Sequence, residues 1–390
     1  MRYTTRMLTA GVRDAARTFP ALVVTGPRRS GKTTLLRRTF PSAQYWLLEE
    51  PDVLARFRTD PRGFVDSLQP PVILDEIQNA PELFAWIRAR VDAKPARKGQ
   101  WLLTGSQEAP LMQNIAESMA GRAAIFQLLS LSTRESSKVT MLRGGFPEVL
   151  AAPRAADTWF RSYVQTYLER DVRAVTEVRD LMTFRRFVAL VATRCGQVVN
   201  RTDLAAPLGV SVPTISQWLS VLELTGQIVL VPPYFDNFGK RLVKSPKLYF
   251  SDTGLLCHLL GIDSIALLEK SSFLGAVFES FVASELVKAQ IGRGVRRELY
   301  WFRDHQGLEV DFVVPQRGGR LLLCEAKTTS TAMVQDTKGM QRLREAIGDR
   351  VAQCLLVHRP GPRAPRSSVV APGVAAVDLR GLLDSIGKNV

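Results

Sequence analysis

The sequence predicts an α/β protein built as three units, and three observations carry that expectation. Strand-like apolar runs, ALVVTG, PPVILDE and WLLTGS, alternate with helical patterns through about residue 135, which indicates a parallel sheet with helical crossovers. Residues 155 to 195 read as mostly helical, DTWFRSYVQTYLERDVRAV and DLMTFRRFVALVATRC, with apolar residues at helical spacing. Beyond residue 270, a helix precedes LEVDFVVPQRGGRLLLCEAK, two strands of alternating polarity around a Gly-Gly turn. A chain of 390 residues is long for one hydrophobic core. We therefore expect units at 1–135, 136–262 and 263–390.

Composition narrows the function. With 46% hydrophobic and 23% charged residues the chain reads as an ordinary soluble globular protein. Its formal charge of +15 and pI near 10.0 favour a polyanionic partner, nucleic acid and DNA first, with an anionic membrane surface as the weaker alternative. No apolar run approaches the ~20 residues of a transmembrane helix, and the first residues lack a signal-peptide core. Cys195, Cys257, Cys324 and Cys354 are far apart, without CxxC spacing, which argues against zinc or a disulfide framework and fits a reducing cytoplasm. Three histidines, His258, His305 and His358, leave little material for His-based chemistry.

The first unit carries the strongest motif. TGPRRSGKTT fits GxxxxGK[ST] in full, between a predicted strand and a helix. Gly26, Pro27, Arg28, Arg29, Ser30, Gly31, Lys32, Thr33 and Thr34 form the candidate ATP-binding loop, whose backbone N–H groups, backed by a helix N-terminus, surround phosphates. Lys32 is placed to reach the β and γ phosphates, and Thr33 to bind Mg²⁺ through its hydroxyl. PPVILDEIQ ends an apolar strand in Asp75, a second Mg²⁺ ligand, and Glu76, which would polarise the attacking water. WLLTGSQ ends in Thr104, Ser106 and Gln107, where a γ-phosphate sensor would sit. Arg122 in MAGRAAIF is a candidate charge-stabilising arginine; acting across a subunit interface, it would imply a homo-oligomer.

TGPRRSGKTTLL, LDEIQNAPEL, LLTGSQ and AGRAAIFQLLSLS, followed by YLERDVR and KLYFSDTGLL, together resemble a prokaryotic family of AAA-type ATPases with an uncharacterised C-terminal region. The likeness covers most of the chain. It implies a P-loop AAA-type ATPase domain, a helical and winged-helix middle segment, and a C-terminal α/β nuclease-like domain.

The middle unit has its own reading. RTDLAAPLGVSVPTISQWLSVLELTGQIVLVPPY has the cadence of a helix-turn-helix: a helix near Asp203 to Leu208, a turn at Gly209 to Ser211, and a second helix from Val212 to Thr225. Two following strands would form a wing, with Lys240, Arg241, Lys244 and Lys247 on or next to it. The second helix carries only one charged residue, Glu223, where DNA-reading helices usually carry Arg or Lys, so DNA contact through the wing and a structural or docking role both stay open. Tyr167, Glu169, Arg170, Asp171 and Arg173 read as interdomain ion-pairing residues on an amphipathic helix.

The C-terminal hairpin poses the second chemical question. If its turn is centred on Gly318, Asp311 faces Glu325 and Glu309 faces Lys327, all on one face. Directly opposed Cβ atoms are ~4.5–5.5 Å apart, so like charges there destabilise the sheet unless a cation lies between them. A register off by one would instead scatter the four into a solvated face. The hairpin pattern by itself leaves both readings open. Asp311, Glu325 and Lys327 match the D-x13-E-x-K pattern of PD-(D/E)xK nucleases, with Val310 where that name has Pro. The resemblance implies Mg²⁺, or Mn²⁺, held by Asp311, Glu325 and Glu279 of LGAVFESFVASEL, with Glu285 the weaker candidate. Lys327 would orient the attacking water or offset developing charge.

The preferred expectation is an ATP-hydrolysing, DNA-acting protein whose nucleotide state controls a Mg²⁺-dependent nuclease-like domain. The rivals are an ATPase switch whose nuclease fold is a non-catalytic scaffold, and a winged-helix regulator with little turnover.

Overall fold

Ala21–Thr25 (β1) is buried along its whole length, as expected of a central strand covered on both faces. It lies in a five-stranded sheet with Gln44–Leu47 (β2), Val72–Asp75 (β3), Trp101–Gly105 (β4) and Ala123–Gln127 (β5), in the order β2-β3-β4-β1-β5. Every pairing is parallel. Alternate residues of the same strands feed opposite layers: Val23, Leu74 and Leu103 enter one core, and Leu22, Val24, Ile73 and Leu102 the other. The computed structural model describes residues 3–105, 118–168, 181–234, 245–304, 307–361, 365 and 367–389.

The middle region brings together helices Pro147–Ala151, Ala156–Tyr163, Leu181–Thr193, Arg201–Ala205 and Val212–Leu224, then Ile228–Val231 (β6) paired antiparallel with Lys247–Phe250 (β7). Ser211 caps Val212–Leu224 by accepting from the Thr214 N–H at 3.2 Å, an N-terminal device typical of serine. Glu169, Arg170, Asp171, Arg173, Lys240, Arg241 and Lys244 lie outside the described residues, as does the side chain of Tyr167.

Six further strands form the C-terminal sheet: Tyr300–Arg303 (β8), Glu309–Gln316 (β9), Arg320–Ala326 (β10), Val351–Val357 (β11), Ser367–Ala371 (β12) and Val374–Val377 (β13). Their order is β12-β13-β11-β10-β9-β8. β10, β11 and β13 run parallel, while β9 pairs antiparallel with both β10 and β8. The expected boundary at 262 and 263 falls inside a shared core, because one cluster of buried side chains runs from Leu129 through Trp218, Tyr249, Val282 and Phe312 to Ile386. Helix Leu274–Ile291 explains the continuity. It is buried along most of its length, polar Ser280, Ser284, Glu285 and Lys288 included, so it is covered on every side. Ser280 and Ser284 tie it to β7 and the chain just after it, Ser280 accepting from Phe250 N at 3.0 Å and Ser284 donating to Ser251 O at 2.6 Å.

Asp252, in the KLYFSDTGLL stretch, joins the first two units. One carboxylate oxygen caps helix Thr253–Leu259, and the other accepts from Ser130 Oγ and Gly145 N, each at 2.7 Å. The neighbouring Gly144 has φ +64°, and a Cβ there would sit 1.9 Å from Asp252 Oδ1. Only glycine admits this approach.

Candidate nucleotide site and carboxylate cluster

The glycine-rich loop follows β1 at the carboxyl end of the sheet, and helix Lys32–Thr39 opens directly from it. Gly26 has φ +140°, and a Cβ there would meet the Leu128 carbonyl oxygen at 2.2 Å; the first glycine of the motif is thus required by the neighbouring chain as well as by the turn. Lys32 is buried, its ammonium donating to the Gly26 and Pro27 carbonyls at 3.1 Å each. A cavity of about 670 Å³ lies over the loop, bordered by Tyr3, Tyr45, Asp75, Glu76 and Glu148, within the ~300–1,000 Å³ range of small-ligand sites.

Asp75 ends β3 as the strand pattern predicts, and three hydroxyls converge on it. Thr33 Oγ1 lies 2.9 and 2.8 Å from its two oxygens, Tyr45 donates to Oδ2 at 2.8 Å, and Thr104 donates to Oδ1. Burial first, and the hydrogen bond to Asp75 second, hold the Tyr45 phenol protonated well above its ordinary range. Thr33 and Asp75 fit Mg²⁺: a hydroxyl and a carboxylate stand side by side at the mouth of a phosphate-binding loop, both oxygen donors suited to a hard cation. Glu76 has φ +58°, a backbone conformation uncommon outside glycine. Its carboxylate accepts from Gln78 Nε2, and its N–H donates to Thr104 Oγ1 at 3.2 Å.

Arg122 is not brought to this site within its own chain. β5 runs parallel to β1 with Ala123 opposite Ala21, so the residue before it lies at the opposite end of the sheet from the loop. There its guanidinium pairs with Asp92 at 2.6 and 3.1 Å, in solvent. A lone Gly-Arg pattern carries no information about strand direction, which is why the sequence left this undetected. Arg122→Ala is expected to leave ATP turnover by the purified chain unchanged; a fall in kcat would instead place the arginine across a subunit interface. Ser106 and Gln107 lie outside the described residues.

The loop is also braced from behind. Arg6, buried, donates to Ser30 O at 2.8 Å and Leu129 O at 2.7 Å and pairs with Glu135 at 3.0 Å. Next to Glu135, Thr133 donates its N–H to Glu285 Oε2 at 2.9 Å. Glu285 is fully buried on helix Leu274–Ile291, with Lys288 3.8 Å away. It therefore faces the ATPase unit rather than the hairpin, and burial raises its pKa.

The hairpin adopts the register that centring on Gly318 predicts, Arg320 opposite Gln316 through Cys324 opposite Phe312. Extended by one pair, it sets Asp311 against Glu325: the Asp311 N–H donates to Glu325 Oε2 at 3.4 Å, and Ala326 N–H donates to Asp311 Oδ2 at 3.0 Å. Lys327 Nζ pairs with Glu325 Oε1 at 2.7 Å. Glu279 comes down from the neighbouring helix, where Tyr249 donates to it. Burial first, and the Asp311 charge second, push Glu279 up to about 7 and Glu325 up to about 8.

Lys247 completes this cluster. It is buried, with Nζ 2.5 Å from Glu309, 3.1 Å from Glu279 and 3.4 Å from Asp311. Of the two roles left open for the wing, Lys247 takes the structural one: β7 alternates faces, and the face bearing Lys247 and Tyr249 points inward to Glu279. The expected metal ligands Glu279, Asp311 and Glu325 do converge, with Lys247 beside the first two. Among the described residues no group of three His, Cys, Asp or Glu side chains is arranged to hold a metal ion, and the acceptor oxygens of Glu279 and Asp311 turn to an ammonium instead. Burial opposes the charge on Lys247, but Glu279, Asp311 and Glu309 outweigh it and keep the group protonated.

Compared with known proteins, the chain matches the AAA domain family over residues 18–137. Residues 134–266 and 274–373 match two regions described as domains of unknown function, DUF8612 and DUF4143. Uncharacterized proteins of Mycobacterium bovis and Mycobacterium tuberculosis are each 33% identical to it over 369 residues, 93% of this chain and 81% of theirs. The chain belongs to this family of AAA-type ATPases. Among solved structures, this ATPase is similar to the Walker-type ATPase of Pyrococcus abyssi, at 14% identity and a TM-score of 0.45 over 67% of this chain and 99% of that one. It is also similar to a RuvB of Thermotoga maritima, at 15% identity and a TM-score of 0.30 over 58% and 89%.

In this ATPase the residues that sequence reasoning passed over are Arg6, Tyr45 and Tyr249, together with the true place of Lys247. The period-2 alternation of KLYF offered a signal for the last pair, since Lys247 and Tyr249 must share a face. Arg6 and Tyr45 offered none: each acts on groups more than twenty residues away. Among the described residues no helix is long and apolar enough to cross a membrane.

Proposed function

We propose that this chain is a Mg²⁺-dependent, ATP-hydrolysing switch that acts on DNA, with a C-terminal unit serving as a binding scaffold. The observation that carries the nucleotide reading is the meeting of Thr33 with Asp75 beside the loop Gly26–Thr34, with Glu76 next in the chain. The backbone N–H groups of the loop and Lys32 bind the phosphates, and Thr33 and Asp75 hold Mg²⁺, which when bound neutralises phosphate charge. Glu76 takes the role of orienting water and accepting its proton, once its carboxylate leaves Gln78. The bracing by Arg6, Glu135 and Thr133 supports a mechanical link from the loop to the helix bearing Glu279 and Glu285.

Glu76→Gln should retain ATP affinity while kcat falls by ~10²–10⁴-fold, the usual contribution of a general base. Equal turnover in the variant would sink the assignment. DNA as the partner is supported by the formal charge of +15; binding that weakens steeply with salt is the expected behaviour, and a flat salt response would count against it.

A second reading, DNA cleavage by the C-terminal unit, is favoured by the convergence of Asp311, Glu325 and Lys327. Lys247 among the carboxylates weighs against it, and the scaffold reading takes precedence. Nicking of single-stranded, duplex or branched DNA by the wild-type chain with Mg²⁺ or Mn²⁺ would reverse that order.

A further inference from the structure

We infer that the Lys247 ammonium is the resident cation of the C-terminal carboxylate cluster, occupying the place a divalent ion would take and keeping such ions out. A lysine ammonium has three N–H donors and no acceptor. Here three carboxylates surround it, Glu309 at 2.5 Å, Glu279 at 3.1 Å and Asp311 at 3.4 Å. The face of Trp301 lies 5.3 Å from the same nitrogen, a cation–π distance. Each donor thus has an acceptor, and the Lys247 side chain is 5% exposed, so little water competes.

The position cannot be shared. Mg²⁺ holds its oxygen ligands at ~2.0–2.1 Å and tolerates little departure from octahedral geometry. An ion held by Asp311 and Glu279 would compete with the ammonium for the same carboxylate oxygens and face its positive charge. The strand that carries the lysine is itself anchored: Lys247 sits on β7, paired with Val231 of β6, and the residues after β6 are tied to β8 by the Tyr234 N–H donating to Trp301 O at 2.7 Å. Lys247 therefore fastens the middle region to the C-terminal sheet while it closes the cluster.

This deepens the scaffold reading of the C-terminal unit, and it can fail separately from it, because a chain that binds metal there need not cleave anything. The test is calorimetric titration of the nucleotide-free full chain with Mn²⁺, comparing proteins that differ at Asp311 so that any metal held elsewhere cancels. Wild type and Asp311→Asn are expected to give the same isotherm. A Mn²⁺ site present in wild type and lost in Asp311→Asn would overturn the inference, and this arm requires no change at Lys247. Lys247→Gln is expected to gain a Mn²⁺ site that the added Asp311→Asn change removes. A folded Lys247→Gln chain that gains no site would show that the ammonium is not what excludes the ion, and would overturn it equally.

Discussion

Lys32→Ala is expected to abolish ATP hydrolysis and to weaken ATP binding by ~10²–10³-fold, the scale on which loss of one preorganised charge-stabilising donor is felt in a water-excluded site. The ammonium is already inside the loop, held by the Gly26 and Pro27 carbonyls at 3.1 Å each, so little reorganisation separates its resting position from the phosphates. Alanine removes the charge and leaves the helix N-terminus intact, because Gly31 provides the turn with φ +96° and no side-chain cap is involved. Lys32→Arg is not expected to rescue binding: a planar fork replaces a compact point charge in a buried niche. Titration calorimetry with ATP decides the matter, and unchanged affinity in Lys32→Ala would refute the phosphate-loop assignment.

Legibility in the sequence tracked the range of the interactions involved. The loop Gly26 to Thr34 was legible as a motif because its turn, between β1 and the helix it opens, is local backbone geometry, and Asp75 was legible from its place at the end of an apolar strand. The hairpin register was legible for a related reason: Gly318 and Gly319, at φ +74° and +70°, fix the turn, and period-2 alternation then carries Asp311 to Glu325. Lys247 was legible as a charge but not as a buried one. It meets Asp311 across 64 residues, and nothing local to KLYF states which sheet its inner face will cover. The place of Arg122 was not legible for the converse reason, since the direction of β5 decides it and only the assembled sheet reveals that. The core shared across residue 262 was not legible because helix Leu274–Ile291 is buried along most of its length, and periodicity cannot say how many neighbours cover such a helix.

Lys247→Met is expected to destabilise the C-terminal unit by about 3–5 kcal/mol, the cost of breaking a buried ion pair by removing one partner and leaving the other charge uncompensated. Three carboxylates lose their shared donor at once, and the aliphatic replacement fills the space without offering them a hydrogen bond. A chain of several units need not unfold in one step, so the informative measurement is amide hydrogen exchange in β9 and β10, which reports opening of that sheet directly. Exchange there should quicken by roughly 10²–10⁴-fold, at about 1.4 kcal/mol per factor of ten, with strands β1 and β4 of the ATPase sheet little changed. Adding Glu279→Gln to Lys247→Met should recover part of the loss, because a neutral amide no longer requires a counter-charge. Mn²⁺ should recover more, since an ion that binds only the folded form stabilises it by about 2.7 kcal/mol at a hundred times its Kd. Exchange rates indistinguishable from wild type in Lys247→Met would mean that the carboxylates tolerate one another without the ammonium, and the role assigned to Lys247 would fall.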